Sequence, residues 1–217
     1  MKSFEESLHQ GDSLLRSGAS LDAAQAAVVL LHGRGASAAS ILALADELSV
    51  QRVAYLAPQA AGNTWYPNSF LAPIEKNEPY LSSALSTLEL VLDDLARSEL
   101  PARKTIIMGF SQGACLSLEF AARHAQRFGG VIALSGGLIG PDEGPRSYPG
   151  SLSGTPIFLG CSDIDFHIPL ARVHYSAEIM RQLGGEVTER IYPNLGHTVN
   201  DDELEYARGL IQTLVQS

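Results

Sequence analysis

A serine stands between two glycines in residues 109–113, which read GFSQG. The apolar run before it, residues 104–110, is typical of a β-strand, and residues 114–123 after it have a helical period. A serine in the tight turn between such elements projects its hydroxyl from the top of a sheet, and flanking glycines allow the close backbone approach that this turn needs. The pattern predicts that Ser111 is a nucleophile.

A serine nucleophile also needs backbone N–H groups that point at the oxyanion formed during acyl transfer. Residues 30–35 (LLHGRG) end a second predicted strand, and we assign one N–H to Arg34 and the other to Gln112. Residues 33–38 (GRGASA) also satisfy a dinucleotide fingerprint, which requires an acidic residue at the end of the next strand. That strand runs instead into residues 57–59 (APQ), so the sequence disfavours a dinucleotide site.

The nucleophile further needs a base and a carboxylate that orients the base, and both are expected in loops after later strands, the acid first. Asp163 and Asp165 follow the predicted strand that ends near Gly160, and His197 follows the strand that ends at Tyr192. This order selects His197 as the base among six histidines. Chain order and loop position alone leave the choice between the two aspartates open.

Short β-branched apolar runs alternate with helical stretches along the chain, which is typical of strands joined by helices into a mostly parallel sheet. The predicted strands cover residues 27–31, 52–57, 104–110, 130–134, 156–160 and 187–192. Leucines at helical spacing between Leu81 and Leu95 predict a helix of about 18 residues. Asn200 is expected to cap the last helix. The acidic residues 201–203 that follow lie at the positive end of the helix dipole, where negative charge is stabilising.

These elements predict a single α/β domain over residues 1–217, in which residues 1–26 contain an N-terminal edge hairpin around residues 11 and 12. Residues 140–154 are rich in Gly, Pro and Ser and are interpreted as a surface loop, with a substrate lid as the less favoured alternative.

The composition restricts the partners of this protein. Its 15 Lys and Arg against 24 Asp and Glu give a net charge of −9, which disfavours nucleic acid and anionic membranes. We find no apolar run of the roughly 20 residues that a membrane helix needs, and the acidic N-terminus does not resemble a signal peptide, so a soluble, cytoplasmic protein without stable membrane association is expected. Cys115 and Cys161 are interpreted as buried thiols without a catalytic role.

From about Val28 to the C-terminus, the sequence resembles the phospholipase/carboxylesterase family of α/β-hydrolases, which includes bacterial carboxylesterases and acyl-protein thioesterases. The resemblance rests on residues 32–35 (HGRG), 109–114 (GFSQGA), 165–169 (DFHIP) and 196–197 (GH). It implies an α/β-hydrolase fold, with a mostly parallel twisted sheet and helices on both faces.

By this resemblance Ser111 is the nucleophile, Asp165 the orienting acid and His197 the base, and the amides of Arg34 and Gln112 form the oxyanion hole. Two positions depart from the family pattern. Ser162 replaces the glycine of the acid loop, while Gly160 offers the same spacing to Asp163. Arg34 replaces an apolar residue, and its side chain is expected to face an acidic or polar group of the substrate.

The sequence therefore predicts a serine hydrolase of carboxylic esters with small to medium acyl groups, which acts through an acyl-enzyme on Ser111 without a metal or organic cofactor. Its expected partner is a small-molecule ester, Trp65 is predicted to bind substrate, and a homodimer is left open. One alternative is an acyl-protein thioesterase or lysophospholipase that acts on longer acyl chains. A non-catalytic binding module would have lost a triad member, and a dienelactone-hydrolase-like enzyme would carry Cys at position 111.

Overall fold

Strands of the described chain form one twisted sheet. The computed structural model of the protein describes residue 9 and residues 14–141 and 146–216. The strands are β1 (Leu14–Gly18), β2 (Ala26–Leu31), β3 (Val53–Pro58), β4 (Thr105–Phe110), β5 (Gly130–Leu134), β6 (Pro156–Ser162) and β7 (Glu186–Tyr192). Their spatial order is β1-β3-β2-β4-β5-β6-β7, in which β1 pairs antiparallel with β3 and every other neighbouring pair is parallel. The predicted α/β-hydrolase fold is confirmed.

Helices cover both faces of the sheet: α1 (Ala38–Leu42), α2 (Leu44–Leu48), α3 (Tyr80–Arg97), α4 (Gln112–Arg123), α5 (Leu170–Gln182) and α6 (Asp201–Gln216). Alternate residues of each central strand point to opposite faces, so Val29 joins a core with α3, α4 and α5, while Val28 joins one with α1, α2 and α6. The predicted 18-residue helix is α3. None of the described helices combines the length and apolarity needed to cross a membrane.

The parallel strands end at a common edge of the sheet, so the loops that follow β2, β4, β6 and β7 lie together. The loop after β7 leads into α6, where the predicted cap is confirmed. The Asn200 Oδ1 atom accepts a hydrogen bond from the Glu203 backbone N–H at 3.0 Å, and the Glu203 carboxylate accepts one from the Asn200 backbone N–H at 2.9 Å. This capping box fixes the position at which the loop after β7 ends and α6 begins.

Two predicted segments are described only in part. The hairpin turn predicted around residues 11 and 12 lies outside the described residues, and β1 is an antiparallel edge strand. The loop predicted over residues 140–154 contains no helix in its described part, and its Leu152 side chain is fully buried. A cavity of about 440 Å³ lies beside this loop, and none of Ser111, Asp165 and His197 lines it.

Candidate active site

Ser111 occupies the turn between β4 and α4 with φ 55° and ψ −117°, a backbone conformation that non-glycine residues rarely adopt. A Cβ atom added to Gly109 would lie 2.3 Å from the carbonyl carbon of Gly113, and one added to Gly113 would lie 2.1 Å from the Leu31 carbonyl oxygen. Both positions therefore require glycine, because α4 starts in contact with β2 and β4. The local sequence places the partly exposed serine above the sheet edge.

A chain of hydrogen bonds joins the three side chains predicted to do the chemistry. The His197 Nε2 atom lies 2.9 Å from the Ser111 Oγ atom, and the His197 Nδ1 atom lies 2.7 Å from the Asp165 Oδ2 atom. With Nδ1–H donating to the carboxylate, Nε2 is the free acceptor for the serine proton. The three residues come from the loops after β4, β6 and β7, and the sheet edge brings them together.

The Asp165 carboxylate is buried beneath the imidazole, with a fully buried side chain. Its Oδ1 atom accepts hydrogen bonds from the backbone N–H groups of His167 at 2.8 Å and Ile168 at 3.0 Å. Burial alone would raise the pKa of Asp165, but the hydrogen bond from His197 and these two N–H groups lower the pKa below its ordinary value. The acid therefore stays ionised and able to stabilise an imidazolium.

The second aspartate of this loop faces a different partner. The Asp163 Oδ1 atom accepts a hydrogen bond from the Asn194 backbone N–H at 2.8 Å, and the neighbouring Ser162 hydroxyl oxygen accepts one from the Gly196 backbone N–H at 3.0 Å. Both side chains thus tie the acid loop to the loop that carries His197. Ser162, which departs from the glycine of the family pattern, provides one of these two ties.

The loop after β2 runs directly past the serine. A Cβ atom added to Gly33 would lie 3.4 Å from the Ser111 Cβ atom, a van der Waals contact, so Gly33 lies next to the nucleophile. The backbone N–H of Gln112 is at the first position of α4, where an α-helix offers it no intrahelical acceptor. The N–H groups of Arg34 and Gln112 therefore belong to the two segments that flank the Ser111 hydroxyl.

The Arg34 side chain does not have the position expected from the sequence. Its two terminal guanidinium nitrogens donate hydrogen bonds to the backbone carbonyls of Pro67 at 2.8 Å and Asn68 at 2.6 Å. Two of the five guanidinium N–H groups thus hold the neighbouring loop, so the charge is anchored there and is not the free group that was expected to face an acidic or polar part of the substrate. The expectation from sequence treated the charge as free because the loop at residues 67 and 68 is remote in the chain.

Trp65, predicted to bind substrate, is fully buried, and this prediction is wrong. Its indole N–H donates to the His32 carbonyl at 2.9 Å, and its backbone N–H donates to the Gln112 Oε1 atom at 3.0 Å. The Gln112 amide in turn donates to the Tyr66 carbonyl at 2.8 Å. Trp65 is therefore tied both to the loop after β2 and to the start of α4, a structural role that the sequence did not indicate.

Two buried histidines, to which the sequence pattern gave no role, support the same region. The Ala60 backbone N–H donates to the His32 Nε2 atom at 3.1 Å, so Nδ1 carries the proton and donates to the Gly33 carbonyl at 2.8 Å. His9 supports the same region, since its ring nitrogens lie 3.0 Å from the Ala61 N–H nitrogen and 3.0 Å from the Trp65 carbonyl oxygen. These structural roles are visible only in the folded protein, because they depend on contacts between residues that are distant in the sequence.

Three aromatic rings lie near the imidazole of His197. The centroid of the His197 ring lies 4.7 Å from that of His167, 5.0 Å from that of Phe110 and 6.3 Å from that of Phe166. The Phe166 side chain is 80% exposed.

Cys115 lies in α4, beneath the turn that carries Ser111. Burial raises the pKa of its thiol to about 12, so the thiol stays protonated.

Comparisons with known proteins identify related sequences and structures. The family model described as Phospholipase/Carboxylesterase matches residues 18–215. Acyl-protein thioesterase 1 of Candida albicans is 28% identical over 94% of this chain and 98% of that protein. The crystal structure of a phospholipase/carboxylesterase from Dyadobacter fermentans is 39% identical with a TM-score of 0.88, covering 93% of this chain and 96% of that one. The crystal structure of esterase PE8 is 26% identical with a TM-score of 0.75, covering 94% and 98%.

Proposed function

The chain belongs to the phospholipase/carboxylesterase family and is a carboxylic ester hydrolase, and we propose that Ser111, His197 and Asp165 are its nucleophile, base and orienting acid. One observation carries this proposal, the continuous chain of hydrogen bonds from the Ser111 Oγ atom through His197 to the Asp165 carboxylate. The order and contacts of these groups match what a serine nucleophile requires.

In the acylation step, the His197 Nε2 atom takes the Ser111 proton as the serine oxygen attacks the ester carbonyl. The carbonyl oxygen becomes an oxyanion that accepts hydrogen bonds from the N–H groups of Arg34 and Gln112. When the tetrahedral intermediate collapses, the imidazolium gives its proton to the leaving alcohol oxygen. The Asp165 carboxylate stabilises the imidazolium and does not itself take the proton.

Deacylation repeats these roles with water as the nucleophile. The neutral imidazole takes a proton from the water as it attacks the acyl-enzyme carbonyl, and the imidazolium then returns a proton to the Ser111 oxygen. The products are the carboxylic acid and the free enzyme. Both steps need a neutral imidazole, because only the neutral ring can accept the proton of the serine or of the water.

The direct test is Ser111→Ala with turnover of p-nitrophenyl acetate and labelling by a fluorophosphonate probe. Turnover is expected to fall by a factor on the order of 10³ or more and labelling to disappear, with an unchanged circular dichroism spectrum. Ser117→Ala is the matched control, because this serine of α4 is buried and donates to the Gly113 carbonyl. Unchanged turnover in folded Ser111→Ala would contradict the proposal.

The acyl preference is a separate part of the proposal. We place small to medium acyl groups first, because Arg34 is an exposed, charged residue where the family pattern has an apolar one, and a long acyl chain would need apolar surface. A thioesterase acting on longer chains is the second candidate, favoured by the relatives named acyl-protein thioesterase. Rates on p-nitrophenyl esters of increasing chain length, beside an S-acylated cysteine peptide, distinguish the two.

The expected location and partners complete the proposal. Two described cysteines, Cys115 and Cys161, are buried free thiols, which fits a reducing, cytoplasmic environment. The net charge of −9 supports a small-molecule ester as the partner and disfavours nucleic acid and stable association with anionic membranes. Size-exclusion chromatography with light scattering decides whether the protein forms the homodimer that the sequence leaves open.

A further inference from the structure

We propose that Phe166 is a specificity-determining residue that binds the alcohol portion of the ester and gives the enzyme a preference for apolar, aromatic leaving groups. This inference rests on the proposed function and deepens it. Its structural basis is the position of a largely exposed aromatic ring beside the group that must protonate the leaving alcohol.

Exposure and rigidity make Phe166 unusual. With 80% of its surface exposed, it is the most exposed large apolar side chain among the described residues. Its backbone is nevertheless fixed between Asp165, which is held by His197, and His167, whose N–H donates to the Asp165 carboxylate at 2.8 Å. An exposed ring on a fixed backbone can bind an apolar ligand at a small further cost in conformational entropy.

The chemistry decides which part of the substrate this ring meets. The carbonyl oxygen points toward the N–H groups of Arg34 and Gln112, and the ester carbon bonds to the Ser111 oxygen. Because His197 hands its proton to the leaving oxygen, the alcohol portion must lie on the imidazole side of the tetrahedral carbon. The acyl substituent occupies the remaining direction.

The rings of Phe166 and His167 stand on that same imidazole side. Their centroids lie 4.2 Å apart, and they lie 6.3 Å and 4.7 Å from the His197 centroid, distances at which aromatic rings pack. A benzyl or similar alcohol portion that leaves through His197 would therefore contact Phe166. The exposed Ile164 side chain belongs to the same loop but precedes Asp165.

The test keeps the acyl group constant and varies the alcohol. Values of kcat/KM are measured for ethyl acetate and benzyl acetate with the wild-type protein and the variants Phe166→Ala and Phe166→Tyr. We expect Phe166→Ala to lower the benzyl-to-ethyl ratio by roughly five- to tenfold, the size of an aromatic pair contact, and Phe166→Tyr to restore it. Ile164→Ala, which removes an exposed apolar side chain from the same loop, should leave the ratio unchanged.

Burst kinetics with p-nitrophenyl acetate provide a second readout. Ethyl, benzyl and p-nitrophenyl acetates form the same acetyl-enzyme, from which the alcohol has already departed. The loss in Phe166→Ala should therefore fall on acylation, and the rate constant for hydrolysis of the acetyl-enzyme should not change. A structural disturbance of the triad would slow both steps, because His197 acts in each of them.

Three results would overturn the inference. The first is an equal loss for ethyl and benzyl acetate in Phe166→Ala, which would make the residue structural. The second is a loss that follows acyl length at constant alcohol. The third is an unchanged ratio with weaker binding to lipid vesicles in both Phe166→Ala and Ile164→Ala, which would make the loop a membrane contact. In each case hydrolysis that still depends on Ser111 would leave the proposed function standing, whereas its absence in the wild type would remove both.

Discussion

The Asp163 carboxylate accepts a hydrogen bond from the backbone N–H of Asn194 at 2.8 Å, across two loops that are 31 residues apart in the chain. Asn194 has a φ of 57°, in the left-handed region, so this bond supports a turn with an uncommon conformation three residues before His197. The other aspartate of the loop, Asp165, contacts His197 directly. The two carboxylates thus have separable roles, one in the turn and one in the chemistry.

We expect Asp165→Asn and Asp163→Asn to differ in kind. An amide in place of Asp165 favours the wrong imidazole tautomer and cannot stabilise the imidazolium, so kcat should fall by up to ~10⁴ with the fold retained. In Asp163→Asn the amide oxygen can still accept the hydrogen bond from the Asn194 N–H, but the bond is no longer charge-assisted, so stability should fall by on the order of 1 kcal/mol and the melting temperature should drop, with a much smaller change in rate. Steady-state kinetics and thermal unfolding of both variants decide this, and the reverse pattern would assign the acid to Asp163.

Arg34→Leu is expected to lower kcat/KM by the same few-fold factor for neutral and anionic esters. Its guanidinium donates to the carbonyls of Pro67 and Asn68, so its loss loosens the loop beside the oxyanion hole and removes no direct substrate contact. Ethyl acetate and monoethyl succinate provide the neutral and anionic pair. A loss confined to the succinate ester would show that the guanidinium does bind the substrate.

Glu203 makes the stability of the protein depend on pH. Its side chain is fully buried against Gly160, and its Oε1 atom has no hydrogen-bond partner among the described residues. Burial raises the pKa of Glu203 to about 7. Between its ordinary pKa of 4.5 and this value, the folded protein binds more protons than the unfolded chain, so this residue makes stability fall as pH rises.

Glu203→Gln should therefore stabilise the protein at pH 8 by on the order of 2 kcal/mol, because a neutral amide removes the buried charge. The amide oxygen can still accept the hydrogen bond from the Asn200 backbone N–H and preserve the helix cap. Near pH 4.5 the two proteins should have similar stability. Urea unfolding at both values measures the difference, and an advantage of the wild type at pH 8 would contradict it.

The elements around the nucleophile could be predicted because their signals are local. The apolar strand before Ser111, its flanking glycines and the helix after it are consecutive in the chain, and the six predicted strands begin and end within two residues of those found. The edge that collects the catalytic loops follows from the parallel order of these strands.

The rest of the site depends on contacts that the sequence does not display. The Arg34 guanidinium donates to carbonyls more than 30 residues away, and Trp65 makes hydrogen bonds to residues of three separate segments. Trp65 lies in a loop, where apolar periodicity is not defined, so the sequence could not show whether its ring is buried or exposed. Spacing placed both Asp163 and Asp165 after β6, and only the fold of the two loops gives each its partner.

We expect His32 to set the direction of the Arg34 N–H, the proposed oxyanion donor, through a hydrogen bond to the backbone and not through contact with the substrate. Its protonated Nδ1 atom donates to the Gly33 carbonyl at 2.8 Å, and in a trans peptide this fixes the following Arg34 N–H in the opposite direction. Burial lowers the pKa of His32. Its Nε2 atom can accept the hydrogen bond from the Ala60 N–H only while the ring is neutral. As pH falls below the ordinary histidine value of 6.5, the unfolded chain binds more protons than the folded protein, and this residue's share of stability is lost.

Two substitutions separate this positioning role from the structural one. In His32→Asn the side-chain amide can replace Nδ1 as the donor to Gly33, whereas in His32→Gln it can replace Nε2 as the acceptor for Ala60. Both variants should lose stability, but we expect kcat to fall by roughly ten- to a hundredfold in His32→Gln and only a few-fold in His32→Asn, with KM little changed in either, because a misdirected oxyanion donor acts in the transition state. Equal losses of kcat in the two variants, in proportion to their melting temperatures, would reduce His32 to a packing residue.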